Sequence, residues 1–265
     1  MSLLLAVACA GPDARTPATG PSTPSPGPGA QGTIDVLVLT ATAGFRHASI
    51  PAARQALAQL GARHADLAVT FTENLADVTP ERLASTDVLF FALTTGELAF
   101  SDAQKTAILA FVENGGGFVG AHSATDTLYG WPDYGRLVGA YFQAHPWTQE
   151  ATVNVEDTSH PATRDLGGSF RLRDEYYTFQ DNPRGRVHVL LSLDPGSVGA
   201  EGDFPLAWAQ EFGQGRSFYT ALGHFDETWT DARFQAHLLG ALRWAAGSIA
   251  RVPGSRTMHV GGTGA

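Results

Sequence analysis

Apolar runs and their spacing mark out the elements of this chain. Ile34-Asp35-Val36-Leu37-Val38-Leu39-Thr40 is a β-rich apolar run of the kind buried in a parallel sheet. Val69-Thr70-Phe71-Thr72, Val88-Leu89-Phe90-Phe91-Ala92-Leu93 and Phe118-Val119-Gly120-Ala121 repeat it. Helix signals fall between them. Ser49 stands where an N-cap belongs, with Pro51 in the first turn and Gly61 near the end. A short helix is predicted over residues 80–84. Ser101-Asp102-Ala103-Gln104 reads as a capping box opening a helix that runs to about Asn114, where Gly115-Gly116-Gly117 breaks it. This alternation predicts an α/β fold with a doubly wound sheet. The second half differs: residues 151–155, 170–179, 187–193, 206–210 and 217–222 are strand-like, with Pro and Gly turns between them. A final helix is predicted over residues 231–246, with Phe234, Leu238, Leu242 and Ala245 at helical spacing.

The ends of the chain lack these patterns. Leu3-Leu4-Leu5-Ala6-Val7-Ala8 before Cys9 resembles the end of a bacterial lipoprotein signal, which makes Cys9 the expected lipidation site. Residues 10–32 are rich in Pro, Gly, Ser and Thr and predict a flexible tether. The expected organisation is therefore a leader and tether at 1–32, one folded domain at 33–248 and a Gly-rich flexible tail at 249–265. The expected location is the bacterial cell envelope, lipid-anchored or secreted. Membrane contact is expected only through the lipid at Cys9, because no apolar run approaches the roughly 20 residues that span a bilayer.

Composition narrows the chemistry. Lys and Arg number 17 against 26 Asp and Glu, a net charge of -9, and with no basic cluster nucleic acid is not an expected partner. Cys9 is the single cysteine, so the domain has no internal disulfide and no Cys-based zinc site. Lys105 is the single lysine and sits in a predicted helix, which argues against Schiff-base and pyridoxal chemistry. No nucleotide cofactor is expected, and the sequence specifies no oligomeric state. Nine histidines remain to carry the chemistry.

In a doubly wound sheet, ligands bind outside the carboxyl ends of the strands. The loops there read Thr42-Ala43-Gly44-Phe45-Arg46-His47, Thr94-Thr95-Gly96-Glu97 and His122-Ser123-Ala124-Thr125-Asp126. Gly44-Phe45-Arg46-His47, Gly116-Gly117-Phe118-Val119-Gly120-Ala121-His122-Ser123-Ala124, Leu137-Val138-Gly139-Ala140-Tyr141-Phe142 with His145-Pro146, His160-Pro161, Asp174-Glu175-Tyr176-Tyr177-Thr178-Phe179 and Gly223-His224 follow in an order that resembles ThuA-like, trehalose-utilisation proteins. The resemblance runs over residues 34–247. It implies a flavodoxin-like fold related to class I glutamine amidotransferases, with extra β strands in the second half here. It also implies a carbohydrate substrate processed through keto-sugar intermediates. The amidotransferases keep a cysteine at a strand-to-helix elbow, whereas this chain reads Gly120-Ala121-His122-Ser123-Ala124, with His122 in the nucleophile position. Their later His-x-Glu pair resembles His224-Phe225-Asp226. Without the thiol, glutamine hydrolysis is excluded.

Histidines beside carboxylates suit proton transfer at carbon next to a carbonyl, which needs a base, an electrophile for the oxyanion and an acid for the leaving oxygen. The candidate catalytic residues are His47, His122, His145, Asp174, Glu175 and His224. Arg46, Thr95, Ser123, Asp126, Tyr177 and Trp229 are candidate substrate contacts. A divalent cation is a candidate electrophile, with His47, His122, His145 and His224 together with Asp174 or Glu175 as candidate ligands, although no compact motif such as H-E-x-x-H is present. If residues 170–179 are extended, Asp174 and Tyr176 share one face and Glu175 and Tyr177 the other, so one carboxylate, Glu175, is expected in the cleft. Both His145 and His160 precede proline and are held extended; His160 reads as turn chemistry. His64, His188, His237 and His259 carry no motif and read as structural or solvated. Two other readings stand beside the enzyme: a sugar-binding lipoprotein without turnover, and a serine hydrolase using Ser123, His224 and Asp226. The last ranks lowest because Ser123 lies one position past the elbow centre.

Overall fold

The computed structural model describes residues 32–247. The leader with Cys9, the tether, the C-terminal tail and His259 lie outside the described residues. Five parallel strands, β1 (Ile34–Leu39), β2 (Leu67–Thr72), β3 (Val88–Ala92), β4 (Gly117–Ala121) and β9 (Gly215–Thr220), stand in the order β2-β1-β3-β4-β9. Every residue of β3 and β4 is buried, as strands covered on both faces require. The sheet continues past β9 through β8 (Pro205–Phe212), β7 (His188–Leu193), β5 (Phe142–Val155) and β6 (Ser169–Phe179), all paired antiparallel, to nine strands. The chain is thus an α/β protein with a flavodoxin-like parallel half and an antiparallel extension.

Helices α1 (Ile50–Arg63), α5 (Asp226–Thr230) and α6 (Ala232–Ala245) pack together, and α3 (Asp102–Glu113) packs with α2 (Pro80–Ala84) and α4 (Pro132–Val138). The box at Ser101 forms as the sequence requires, each side chain bonding the other residue's backbone N–H. Ser49 does not cap α1. Its hydroxyl instead donates to the Gly223 carbonyl at 3.4 Å, tying the start of α1 to the end of β9. Helix α6 lies so close to β4 that a Cβ at Gly117 would sit 2.6 Å from the Ala245 carbonyl oxygen.

Two elements depart from the sequence expectation. Strand β5 starts at Phe142, well before the expected residue 151, and its pairing with β6 shifts register between Phe142 and Trp147. Pro146, which has no N–H to donate, lies in that irregular stretch. Helix α4 carries no clear apolar period and contains Gly135. That glycine is a packing requirement, because a Cβ there would lie 2.4 Å from the Tyr141 ring.

Candidate active site

The site is built where the parallel strands end. Strand β4 stops at Ala121, and His122 turns sharply out of it with φ 52°, in the left-handed region that a non-glycine residue enters only when its surroundings hold it. Here they do. The His122 carbonyl accepts the Tyr219 hydroxyl at 2.7 Å, and His122 Nδ1 lies 2.8 Å from the Ala221 carbonyl oxygen. A carbonyl only accepts, so Nδ1 carries a proton and Nε2 faces the cleft. Burial holds the Tyr177 phenol well above its ordinary range, so it stays protonated, and its hydroxyl lies 2.9 Å from that Nε2.

Strand β6 supplies the carboxylates on opposite faces. Asp174 is fully buried and accepts from the backbone N–H groups of Gly223 at 2.9 Å, His224 at 3.0 Å and Glu175 at 2.8 Å, and from the Thr228 hydroxyl at 3.1 Å. Burial pushes its carboxyl up, against the His122 charge and these N–H donors. Asp174 therefore positions the turn after β9 and makes no contact with the cleft side chains. Glu175 points the other way. Its Oε2 lies 3.5 Å from His122 Nε2 and 3.2 Å from His224 Nδ1, and its Oε1 lies 3.3 Å from His145 Nδ1. Burial alone would raise the Glu175 carboxyl, but hydrogen bonding and charge from His122 and His224 outweigh it and hold it far below the usual range.

The loop after β1 brings in His47, whose ring meets those of His122 and His224 edge-on at centroid separations of 4.7 and 5.4 Å. Burial, together with charge from His122 and His224, drives its pKa down to about 3, so His47 is neutral. His224 is shifted upward, chiefly by its hydrogen bond to Glu175. One ligand atom each from His47, His122, Glu175 and His224 lies within 4.8 Å of all the others. Among the described residues this is the group able to hold a metal ion, and its fourth member is Glu175. His145, a candidate ligand from sequence, instead sits on the outer carboxylate oxygen with its side chain 52% exposed.

The remaining candidates divide. Asp126 is half-buried, bonded to the Tyr129 hydroxyl at 2.6 Å and within reach of the charges of His122 and His145; burial raises its carboxyl. Ser123 is buried with its hydroxyl 3.4 Å from His47 Nδ1, while Asp226 is exposed at the start of α5, so the structure brings Ser123 to His47 and assembles no Ser123–His224–Asp226 triad. Three of the expected substrate contacts are engaged elsewhere. Arg46 pairs with Glu73 at 2.8 Å, the Thr95 hydroxyl donates to the Phe45 carbonyl at 2.7 Å, and Trp229 is fully buried with Nε1 on the Gly223 carbonyl at 2.8 Å. These side chains hold the loops. His160 and His237 are buried on the α6 side, each bonded through Nδ1 to the backbone of Ala162. A surface cleft of about 390 Å³ between α4, β8 and the β6–β7 turn has no histidine in its lining.

Sequence reasoning passed over Phe45 and Tyr129, which are 66% and 37% exposed and are the exposed large hydrophobic side chains among the described residues. Both border the cluster. The Phe45 ring packs edge-on against His47 at 4.8 Å, and the Tyr129 hydroxyl bonds Asp126 and the Phe142 carbonyl. The signal for Phe45 was its place between Gly44 and His47; Tyr129 had none.

A family model described as ThuA, trehalose utilisation, matches residues 35–245. A search of the curated proteins finds no match. Among solved structures, a ThuA-like protein from Bacteroides uniformis is 28% identical, with a TM-score of 0.69 over 84% of this chain and 95% of that one. A ThuA-like protein from Parabacteroides merdae is 20% identical, with a TM-score of 0.68 over 82% and 91%. A β-galactosidase from Rahnella shares the fold alone, at 18% identity and TM-score 0.54, over 80% of this chain and 31% of that one.

Proposed function

The chain belongs to the ThuA, trehalose-utilisation family, and on that premise we propose that it is a sugar-processing enzyme that removes a proton beside the carbonyl of a keto-glycoside. The observation that carries this reading is the convergence of His145, His122 and His224 on the single carboxylate of Glu175 at the carboxyl ends of the parallel strands. His145 is the base: it is half-exposed at the mouth, and Glu175 Oε1 orients it. It takes the C2 proton of a 3-keto sugar. The enediolate oxygen that results faces the inner group of His47, His122 and His224. The electron pair left at C2 then expels the C1 oxygen, which takes its proton from Asp126, a carboxyl whose pKa burial raises. Reprotonation of the enediolate at C2 gives isomerisation, whereas water adding at C1 of the enone left by the expulsion, with a proton returning to C2, gives hydration. Phe45 and Tyr129 supply exposed aromatic faces of the kind that stack on sugar rings.

The test is turnover of a 3-keto-disaccharide followed by NMR in D2O. Deuterium at C2, with a primary isotope effect for the C2-deuterated substrate, is expected. Cleavage that leaves C2 fully protonated would rule out the enediolate route. The proposal includes an envelope location through Cys9: the full-length protein should partition with membranes in a bacterial host, and Cys9→Ser should release it. An unlipidated, intact Met1 by mass spectrometry would remove that part.

A further inference from the structure

We infer that His47, His122, Glu175 and His224 form the ligand set of a divalent first-row transition-metal ion, which supplies the electrophile in the site proposed above. Spacing is the first argument. Ligand atoms held about 2.1 Å from a tetrahedral ion lie about 3.4 Å from one another. His122 Nε2, His224 Nδ1 and Glu175 Oε2 are separated by 3.3, 3.2 and 3.5 Å. A network built only on charge-assisted hydrogen bonds between imidazolium and carboxylate would draw nitrogen and oxygen to about 2.7–2.9 Å. None of these separations is that short. They suit three atoms arranged around a shared partner.

Ring arrangement is the second argument. The three imidazoles meet pairwise at 82°, 87° and 70°, with centroids 4.7, 5.4 and 5.2 Å apart, so none stacks face to face. An imidazole ligates through an in-plane lone pair, and three steeply inclined rings with one nitrogen each within 4.8 Å of the others and of a Glu175 oxygen are compatible with that presentation.

The third argument lies in the partners behind the ligands. A ligating histidine is normally oriented by a hydrogen bond from its other ring nitrogen, and a ligating carboxylate by a donor on its other oxygen. His122 has the Ala221 carbonyl on Nδ1, His47 has the Ser123 hydroxyl on Nδ1, and Glu175 has His145 on Oε1. Asp174 fixes the backbone of His224. The left-handed backbone at His122 is the cost of aiming Nε2 into this centre. One contact competes, since the Tyr177 hydroxyl lies 2.9 Å from the same Nε2; an ion bound there would displace that contact and free the phenol hydroxyl. Three imidazoles and one carboxylate suit Zn, Co, Fe, Mn or Ni. They do not suit Mg or Ca, which take all-oxygen shells.

The inference rests on the proposed site but not on its substrate, so the test reads binding directly. Full-length protein stripped with a chelator and dialysed is titrated with Co(II), followed by visible absorption, and with Zn(II), followed by calorimetry. One equivalent with a tetrahedral or five-coordinate Co(II) spectrum is expected, unaffected by millimolar Mg(II). His224→Ala and Glu175→Gln should each weaken binding by more than about 100-fold. His188→Ala, at a ring that pairs with Asp157 outside the cluster, should change nothing, and Tyr177→Phe should hold or tighten it by removing the competitor. Should His224→Ala fail to fold by thermal melt, His47→Gln gives the same reading. Absence of a one-to-one complex, or Co(II) binding that survives both His224→Ala and Glu175→Gln, overturns the inference. Metal binding without C2 exchange would remove the keto-sugar reading and leave this one, whereas C2 exchange by the metal-free protein would do the reverse.

Discussion

Two pairs of buried histidines on the same sheet have opposite surroundings. At the carboxyl ends of β1 and β4, His47 and His122 face Glu175 and His224, and the shifts in this group run in both directions, with His47 lowered and His224 raised. On the α6 side, His160 and His237 are both pushed down to about 4, in each case first by burial. Each has a single Nδ1 contact to the backbone of Ala162 and an Nε2 without a hydrogen-bond partner. The first region gathers ring nitrogens around a carboxylate. The second keeps neutral rings as packing, against Phe218 and Trp244. Burial is common to both, so burial does not mark a histidine as functional. Convergence on a partner of opposite charge is what separates the two regions.

The comparison breaks first at Glu175. Glu175→Gln should lower kcat/KM on a 3-keto-disaccharide by about a thousandfold or more, while the melting temperature stays near that of the parent protein. A variant with near-parental turnover would mean that the carboxylate only packs. Next is its neighbour on the opposite face of β6. Asp174→Ala leaves three backbone N–H groups and the Thr228 hydroxyl without their acceptor, and should cost about 3–5 kcal/mol in urea unfolding. A loss of activity without loss of stability there would move Asp174 into the reacting group.

The interior pair makes a prediction about pH. A histidine whose folded pKa is depressed binds fewer protons folded than unfolded, so its stabilisation is complete above pH 6.5 and is lost as pH falls toward 4. For the fully buried His237 the loss over that range is about 3 kcal/mol. The groups facing it are His160 and the Ala162 carbonyl, while His160 is in turn influenced by His188, Asp157, Arg164 and Arg216. Urea midpoints measured between pH 7 and 4 should fall, and His237→Phe should flatten the slope by about one proton. An unchanged slope would place the acid sensitivity in another group. The smallest effect belongs to the rim. Phe45→Ala should raise KM for the sugar by about three- to tenfold with stability unchanged within about 0.5 kcal/mol, since the ring is mostly exposed.

Much of this was legible in the chain itself. Alternation along residues 170–179 puts Asp174 and Glu175 on opposite faces, because strand period is a local property of the backbone. The buried parallel strands, the box at Ser101 and the strand-end loops carrying His47 and His122 follow from equally local rules. The antiparallel extension was visible as a set of strands, but the early start of β5 was not, since Pro146 and exposed polar residues hide its period.

What tertiary structure alone decided is which of these residues meet. His122 and His224 are 102 positions apart, and Ser123 and His47 are 76 apart. Their encounter depends on β9 inserting beside β4 and on β6 carrying Glu175 over the same edge. Periodicity specifies the face on which a side chain stands. It carries no information on which distant segment will stand opposite, because that is set by the order of strands in the sheet and the packing of the whole core. For the same reason the structure, and not the sequence, tied Arg46, Thr95 and Trp229 into the loops and selected Glu175, over Asp174 and His145, to complete the group with His47, His122 and His224.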